Sequence, residues 1–147
     1  MPMNPKRLIA LCLALAAAAM APAQSAPPLD SEQALFLTLI NQFRMQNGAG
    51  PLQVSVTLQN ASQWMSADMA AKGYFSHTDS LGRDPFRRMA DFGYPYSPAG
   101  ENLAAGYSGA QDTFNQWQGS SGHRANMLNP GYRVIGIGRV YNASSPY

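Results

Sequence analysis

The chain has 147 residues, 46% of them hydrophobic, with ten basic against eight acidic side chains. Lys6 and Arg7 supply the whole excess of +2, so the remainder is balanced and shows no electrostatic footprint for nucleic acid. The single cysteine, Cys12, rules out a disulfide framework, and about 120 residues beyond the start suffice for one ordinary domain.

Lys6 and Arg7 precede an apolar run from Leu8 to Ala21 that is short for a membrane span and ends in small residues. With Ala21-Pro22-Ala23 as the cleavage pattern, residues 1–23 are expected to be a signal peptide and Gln24 the new N-terminus. Cys12 lies inside the apolar run behind a bulky leucine, so a lipoprotein anchor is discounted and no stable membrane anchor is expected. Residues 24–30 read as a linker, and 31–147 as a single domain exported to the extracellular, periplasmic or envelope space.

Asp30 or Ser31 caps a first helix whose Leu35, Phe36, Leu39, Ile40 and Phe43 recur at helical spacing, with Asn47-Gly48 as its stop. A second helix is expected over about 56–72, with Thr57 as cap, Leu58, Ala61, Met65 and Met69 as its face and Gly73 as its end. Asp84-Pro85 opens a third, apolar at Phe86, Met89 and Phe92. A short extended run at 101–105 precedes a fourth helix at about 110–118 that buries Phe114 and Trp117. Gly122 and the residues after it start a short helix that Asn129-Pro130 ends. Arg133 to Val140 alternates as a strand, and Gly136 and Gly138 permit close backbone packing. Early helices and a late strand signal define an α+β class.

The chemistry rests on few residues. His77 and His123 are the two histidines, and both sit among turn residues. Imidazole is the side chain most readily used for metal binding or proton transfer near neutral pH. Glu101 is the only charge between Asp91 and Asp112. In so apolar a stretch it is expected to be paired, or to satisfy the backbone of its own turn. No H-E-x-x-H, cysteine ligand set, G-x-S-x-G or phosphate loop is present, so any joint site must be assembled by the fold.

Four stretches in order, "LINQFRMQNGAGPL" (39–52), "MAAKGYFSHTDSLGRDPFRRMADFGY" (69–94), "GENLAAG" (100–106) and "WQGSSGHRANMLNPGYRVIGIG" (117–138), resemble the CAP superfamily of cysteine-rich secretory, antigen 5 and pathogenesis-related 1 proteins, in its bacterial SCP-like branch without disulfides. The resemblance implies an αβα sandwich with a central antiparallel sheet. It also implies a cleft lined by two histidines and two acids that in several members binds zinc or another divalent cation. It assigns His77, Glu101 and His123 to that set, with Glu101 as a metal ligand or as the partner of a ligand. The second acid expected after Trp117 is missing, because Gln118-Gly119-Ser120-Ser121 stands there. Zinc or another divalent cation is therefore the expected cofactor, if any, at reduced affinity.

The expectation is a secreted, non-enzymatic CAP-domain protein whose His/Glu cleft binds a divalent cation or a small ligand, lipid-like ones included. Its partners would be such a ligand, or an envelope or host component, and not nucleic acid. The rival is a metal-dependent hydrolase or protease on peptide or envelope substrates with Glu101 as its catalytic base, or a Ser76 or Ser120 triad variant of it. A third reading makes the His/Glu set a structural clamp. The family pattern continues beyond a strand such as 133–140. That strand's partner must therefore come from earlier in the chain or from a second molecule, or else the domain is shortened at its C-terminus, which is the reading favoured.

Overall fold

A computed structural model describes residues 7–12, 27–107 and 109–147. In chain order these form β1 (Arg7–Cys12), α1 (Ser31–Gln46), β2 (Gln53–Val54), α2 (Val56–Lys72), α3 (Pro85–Asp91), β3 (Asn102–Ala105), α4 (Ala110–Gly119), α5 (Ser121–Leu128) and β4 (Val134–Tyr141). The fold is α+β, with the sheet order β2-β4-β1-β3. β1 runs antiparallel to both β3 and β4, and the two-residue β2 adds to β4 in parallel.

The helix starts follow their caps. Asp30 accepts from the N–H groups of Glu32 and Gln33 while Gln33 returns a bond to the Asp30 N–H, a full capping box. α2 is capped by Ser55, not Thr57: the Ser55 hydroxyl takes the Leu58 N–H, and Thr57 bonds the Ser55 hydroxyl. Gly73 ends α2 in the left-handed conformation that a side chain would disfavour.

Two helical layers cover the sheet. Ile135 and Ile137 of β4 and Ala104 of β3 join Phe36 and Ile40 of α1, Phe114 and Trp117 of α4 and Met127 of α5 in one core. On the opposite face Leu103 joins Met65 and Met69 of α2. Gly136 and Gly138 lie where α2 crosses β4: a Cβ on either would overlap the backbone of Leu58 or Ser62. Glycine is what lets helix and strand touch at backbone distance.

The outer edge of β4 is closed by side chains. Beyond β2, Gln59 of α2 accepts from the Ile137 N–H and donates to the Ile137 carbonyl, both at 2.7 Å. Gln63 treats Arg139 the same way, at 3.1 and 3.0 Å. Each primary amide reproduces the donor and acceptor of a missing strand residue, so an edge that could template association is satisfied internally.

The partner of β4 comes from earlier in the chain, since β1 pairs with it from Arg7↔Tyr141 to Cys12↔Gly136. β1 lies within the expected leader. The rest of 1–23, and 24–26 of the linker, lie outside the described residues.

α3 departs from its expected apolar face. Met89 and Arg88 are buried, whereas Phe86 is exposed and Phe92 leans on Trp64 with ring centroids 6.1 Å apart. A helix of seven residues has room for one inward stripe, and Arg88 claims half of it.

Candidate functional site

His77 sits on the loop between α2 and α3, and two aspartates fix that loop. Asp68 of α2 accepts from the Ser80 N–H at 3.0 Å and the Ser80 hydroxyl at 2.7 Å, and from the Tyr74 hydroxyl. Burial alone would push the Asp68 carboxyl up, but these bonds and Lys72 outweigh it and hold it at about 2. Asp79 accepts from the Leu81 and Arg83 N–H groups and from the Arg83 side chain.

Glu101 stands just before β3, after Gly100, where a Cβ would run into the Tyr132 hydroxyl. Its Oε1 meets His77 Nδ1 at 2.8 Å, and its Oε2 accepts from Arg88 Nη2. Its side chain is 1% exposed, and that of Arg88 0%. Arg88 also reaches the His77 carbonyl and lies 3.6 Å from Asp79. Glu101 is thus committed to orienting one imidazole and is turned away from the cleft.

His123 arrives on α5, whose placement is set mostly by backbone contacts. Asn102 donates to the His123 carbonyl at 3.1 Å, and Asn126 donates to the Asn102 side chain at 2.9 Å. Arg44 of α1, fully buried, donates to the carbonyls of Gly50, Met127, Asn129 and Tyr132. A cation is thereby set at the C-terminal end of α5, where the exposed carbonyls favour it. The His123 ring rests against Trp117 at 5.8 Å, and Trp117 itself is pinned by its indole N–H to the Leu103 carbonyl.

His77 and His123 line one cleft of about 460 Å³ with Phe75, Leu103, Tyr107 and Gln116 among its walls. Among the described residues the cleft lining contains no Asp, Glu, Lys or Arg. Burial, and after it the neighbouring His77, hold the His123 imidazole below its usual range, so the ring is neutral at pH 7. Neutral imidazole is the form that ligates a metal. With His77 Nδ1 engaged by Glu101, its Nε2 is left as the donor. The donor set fits a divalent cation held by two imidazoles, with remaining positions for water or a ligand. No cluster of three or more His, Cys, Asp or Glu suited to a metal ion occurs among the described residues. Ser76, which also lines the cleft, accepts from the Thr78 N–H through its Oγ at 3.1 Å.

Sequence reasoning named His77, Glu101 and His123 but not Arg88, Asn102, Asn126, Gln116 or Arg44. Arg88 is one of two adjacent arginines, and only the set of α3 tells which turns inward. The asparagines stand in the quoted stretches, yet an amide carries no charge signal.

The layered α+β fold matches the cysteine-rich secretory protein (CAP) family. The model of that family matches residues 37–147, and the chain belongs to it. It is 40% identical over 106 residues to the uncharacterized protein YkwD of Bacillus subtilis (strain 168), covering 72% of this chain and 41% of that protein. Identity to the uncharacterized membrane protein YlbC of the same organism is 29%, over 69% of this chain and 30% of that one. The chain thus spans less than half the length of either relative. Among solved structures, an extracellular protein containing a SCP domain from Bacillus anthracis str. Ames matches with a TM-score of 0.70 and 27% identity, over 82% of this chain and 44% of that one. An outer surface protein from Borrelia burgdorferi matches with a TM-score of 0.68 over 78% of this chain and 84% of that one, a likeness of fold at 18% identity.

Proposed function

We propose that this CAP-domain protein works outside the cytoplasm, secreted or in the envelope, as a non-enzymatic binding module. Its cleft holds a divalent cation through His77 and His123, beside apolar walls that accept a small ligand, lipid-like ones included. The observation that carries the reading is the convergence of both histidines on one cleft, with Glu101 and Arg88 fixing the first imidazole from behind. Glu101 orients His77 and keeps the proton on Nδ1, so that Nε2 offers its lone pair to the cleft. A bound cation would supply a Lewis-acid centre with open positions. Export is supported by the leader-like composition of the N-terminus and by the extracellular and outer-surface neighbours. Among the described residues no helix is long and apolar enough to cross a membrane.

Cobalt(II) and zinc titrations of the purified protein test the proposal. The expected result is one metal per chain, lost in both His77→Ala and His123→Ala with folding retained. Binding that survives both substitutions rejects the cation site. Turnover of peptide or envelope substrates that depends on His77 would replace the binding module by a hydrolase.

A further inference from the structure

Two of the residues lining the cleft carry a buried polar atom with no hydrogen-bond partner: Gln116 Oε1 and His123 Nδ1. They belong to consecutive helices, Gln116 to α4 and His123 to α5. The residue next to Gln116, Trp117, carries the His123 ring. The two atoms are complementary, since an amide oxygen only accepts and a protonated Nδ1 only donates. Left apart, each bears the cost of a desolvated polar group.

His123 also differs from His77 in what stands behind it. His77 has a carboxylate on Nδ1, whereas the described residues that line the cleft around His123 include no carboxylate. Among the described residues of the cleft, the one side-chain acceptor that is both buried and uncommitted is the Gln116 carbonyl. If Nε2 of His123 is to offer a lone pair to the cleft, the ring proton must sit on Nδ1, and that proton needs an acceptor.

We propose that Gln116 is the positioning residue of His123. A torsional change of its side chain brings the carbonyl onto Nδ1–H, fixes the tautomer and presents Nε2 to the cation shared with His77. Gln116 thereby does for the second imidazole what Glu101 does for the first, without adding a charge to the cleft. The inference rests on the cation-binding reading for its use, but not for its first readout.

The test compares the full chain with Gln116→Met, which keeps the volume and removes the acceptor, and Gln116→Glu, which keeps an acceptor and adds charge. In metal-free protein at neutral pH, nitrogen-15 shifts of the His123 ring report the tautomer. The wild type is expected in the Nδ1–H form, Gln116→Met in the Nε2–H form of free imidazole, and Gln116→Glu in the Nδ1–H form again. Cobalt(II) affinity is expected to fall about tenfold or more in Gln116→Met and to recover in Gln116→Glu. An Nε2–H tautomer in the wild type, or one unmoved by Gln116→Met, overturns the proposal. If cobalt fails to bind the wild type while the tautomer follows Gln116 as described, the cation site fails and the positioning role stands.

Discussion

Arg88 and Glu101 form an ion pair in which neither side chain meets solvent. Removing one member of such a pair strands the other charge, which costs far more than the pair itself contributes. Arg88→Met is therefore expected to lower unfolding free energy by about 3–5 kcal/mol, read by urea denaturation. Arg88→Met with Glu101→Leu should recover more than half of that loss, because no charge is left uncompensated. A loss below about 1 kcal/mol in the single variant would show that the pair is not what holds α3 to the start of β3.

The Asp68 anchor gives an acid-side signature. A carboxyl held near 2 in the folded chain and near about 3.9 unfolded contributes stability that is fully present above the unfolded value. That contribution is lost as pH falls from about 4 toward 2. Asp68→Asn should flatten this part of the stability curve and speed amide exchange at Ser80, whose N–H it would otherwise hold. Exchange at Ser80 unchanged by the substitution would mean that the His77 loop is fixed by other contacts.

His123 acts at higher pH and with the same sign. Its folded value is depressed by burial and then by His77, so the unfolded chain takes up the proton first. Stability should therefore decline as pH drops below about 6.5, and level off beneath the folded value. His123→Phe, which keeps a ring against Trp117, should remove that decline. Melting temperatures at pH 7.5 and 5 in both proteins check it, and an identical drop in the two would reject it.

Gly136→Ala and Gly138→Ala each add one methyl group where the backbone of α2 already lies. Neither can be absorbed by a flexible side chain, since the obstructing atoms are main-chain. Each should destabilise by about 3 kcal/mol, toward or beyond the top of the usual overpacking range. Gly119→Ala, with open space around its Cβ, is the matched control and should be close to neutral in thermal unfolding.

The helices were legible because their ends carry chemistry: Asp30, Asp84-Pro85 and Gly73 each mark a boundary through a bond or a backbone conformation. The interior of α2 was less so. Gln59, Ser62, Ser66 and Asp68 are buried along with Leu58 and Met65, because the helix lies against β4 and β1 on one side and carries the His77 loop on another. Gln59 bonds the backbone of Ile137 and Asp68 that of Ser80, pairings that no periodicity reveals. β1 could not be told from a leader, since an apolar run of that kind has the same composition whether it targets a membrane or fills the middle of a sheet. The histidines and Glu101 stood out as rare groups in quiet surroundings. Gln116 did not, being one neutral amide among several on α4, and only its burial beside the cleft separates it from them.

Among the described residues β3 hydrogen-bonds to no strand but β1, and Glu101 immediately precedes it. The wall of the cleft is therefore registered, through four residue pairs, by β1. A molecule that keeps Arg7–Cys12 and one trimmed to Gln24 would have different sheets. In the trimmed form β3 and β4 would face each other across a gap about two strand spacings wide, 9–10 Å, until another strand entered it. The presence of Arg7–Cys12 in the chain and the alignment of Glu101 behind His77 are in this way one coupled variable: a change of molecular mass at the N-terminus would report on the geometry of the cleft.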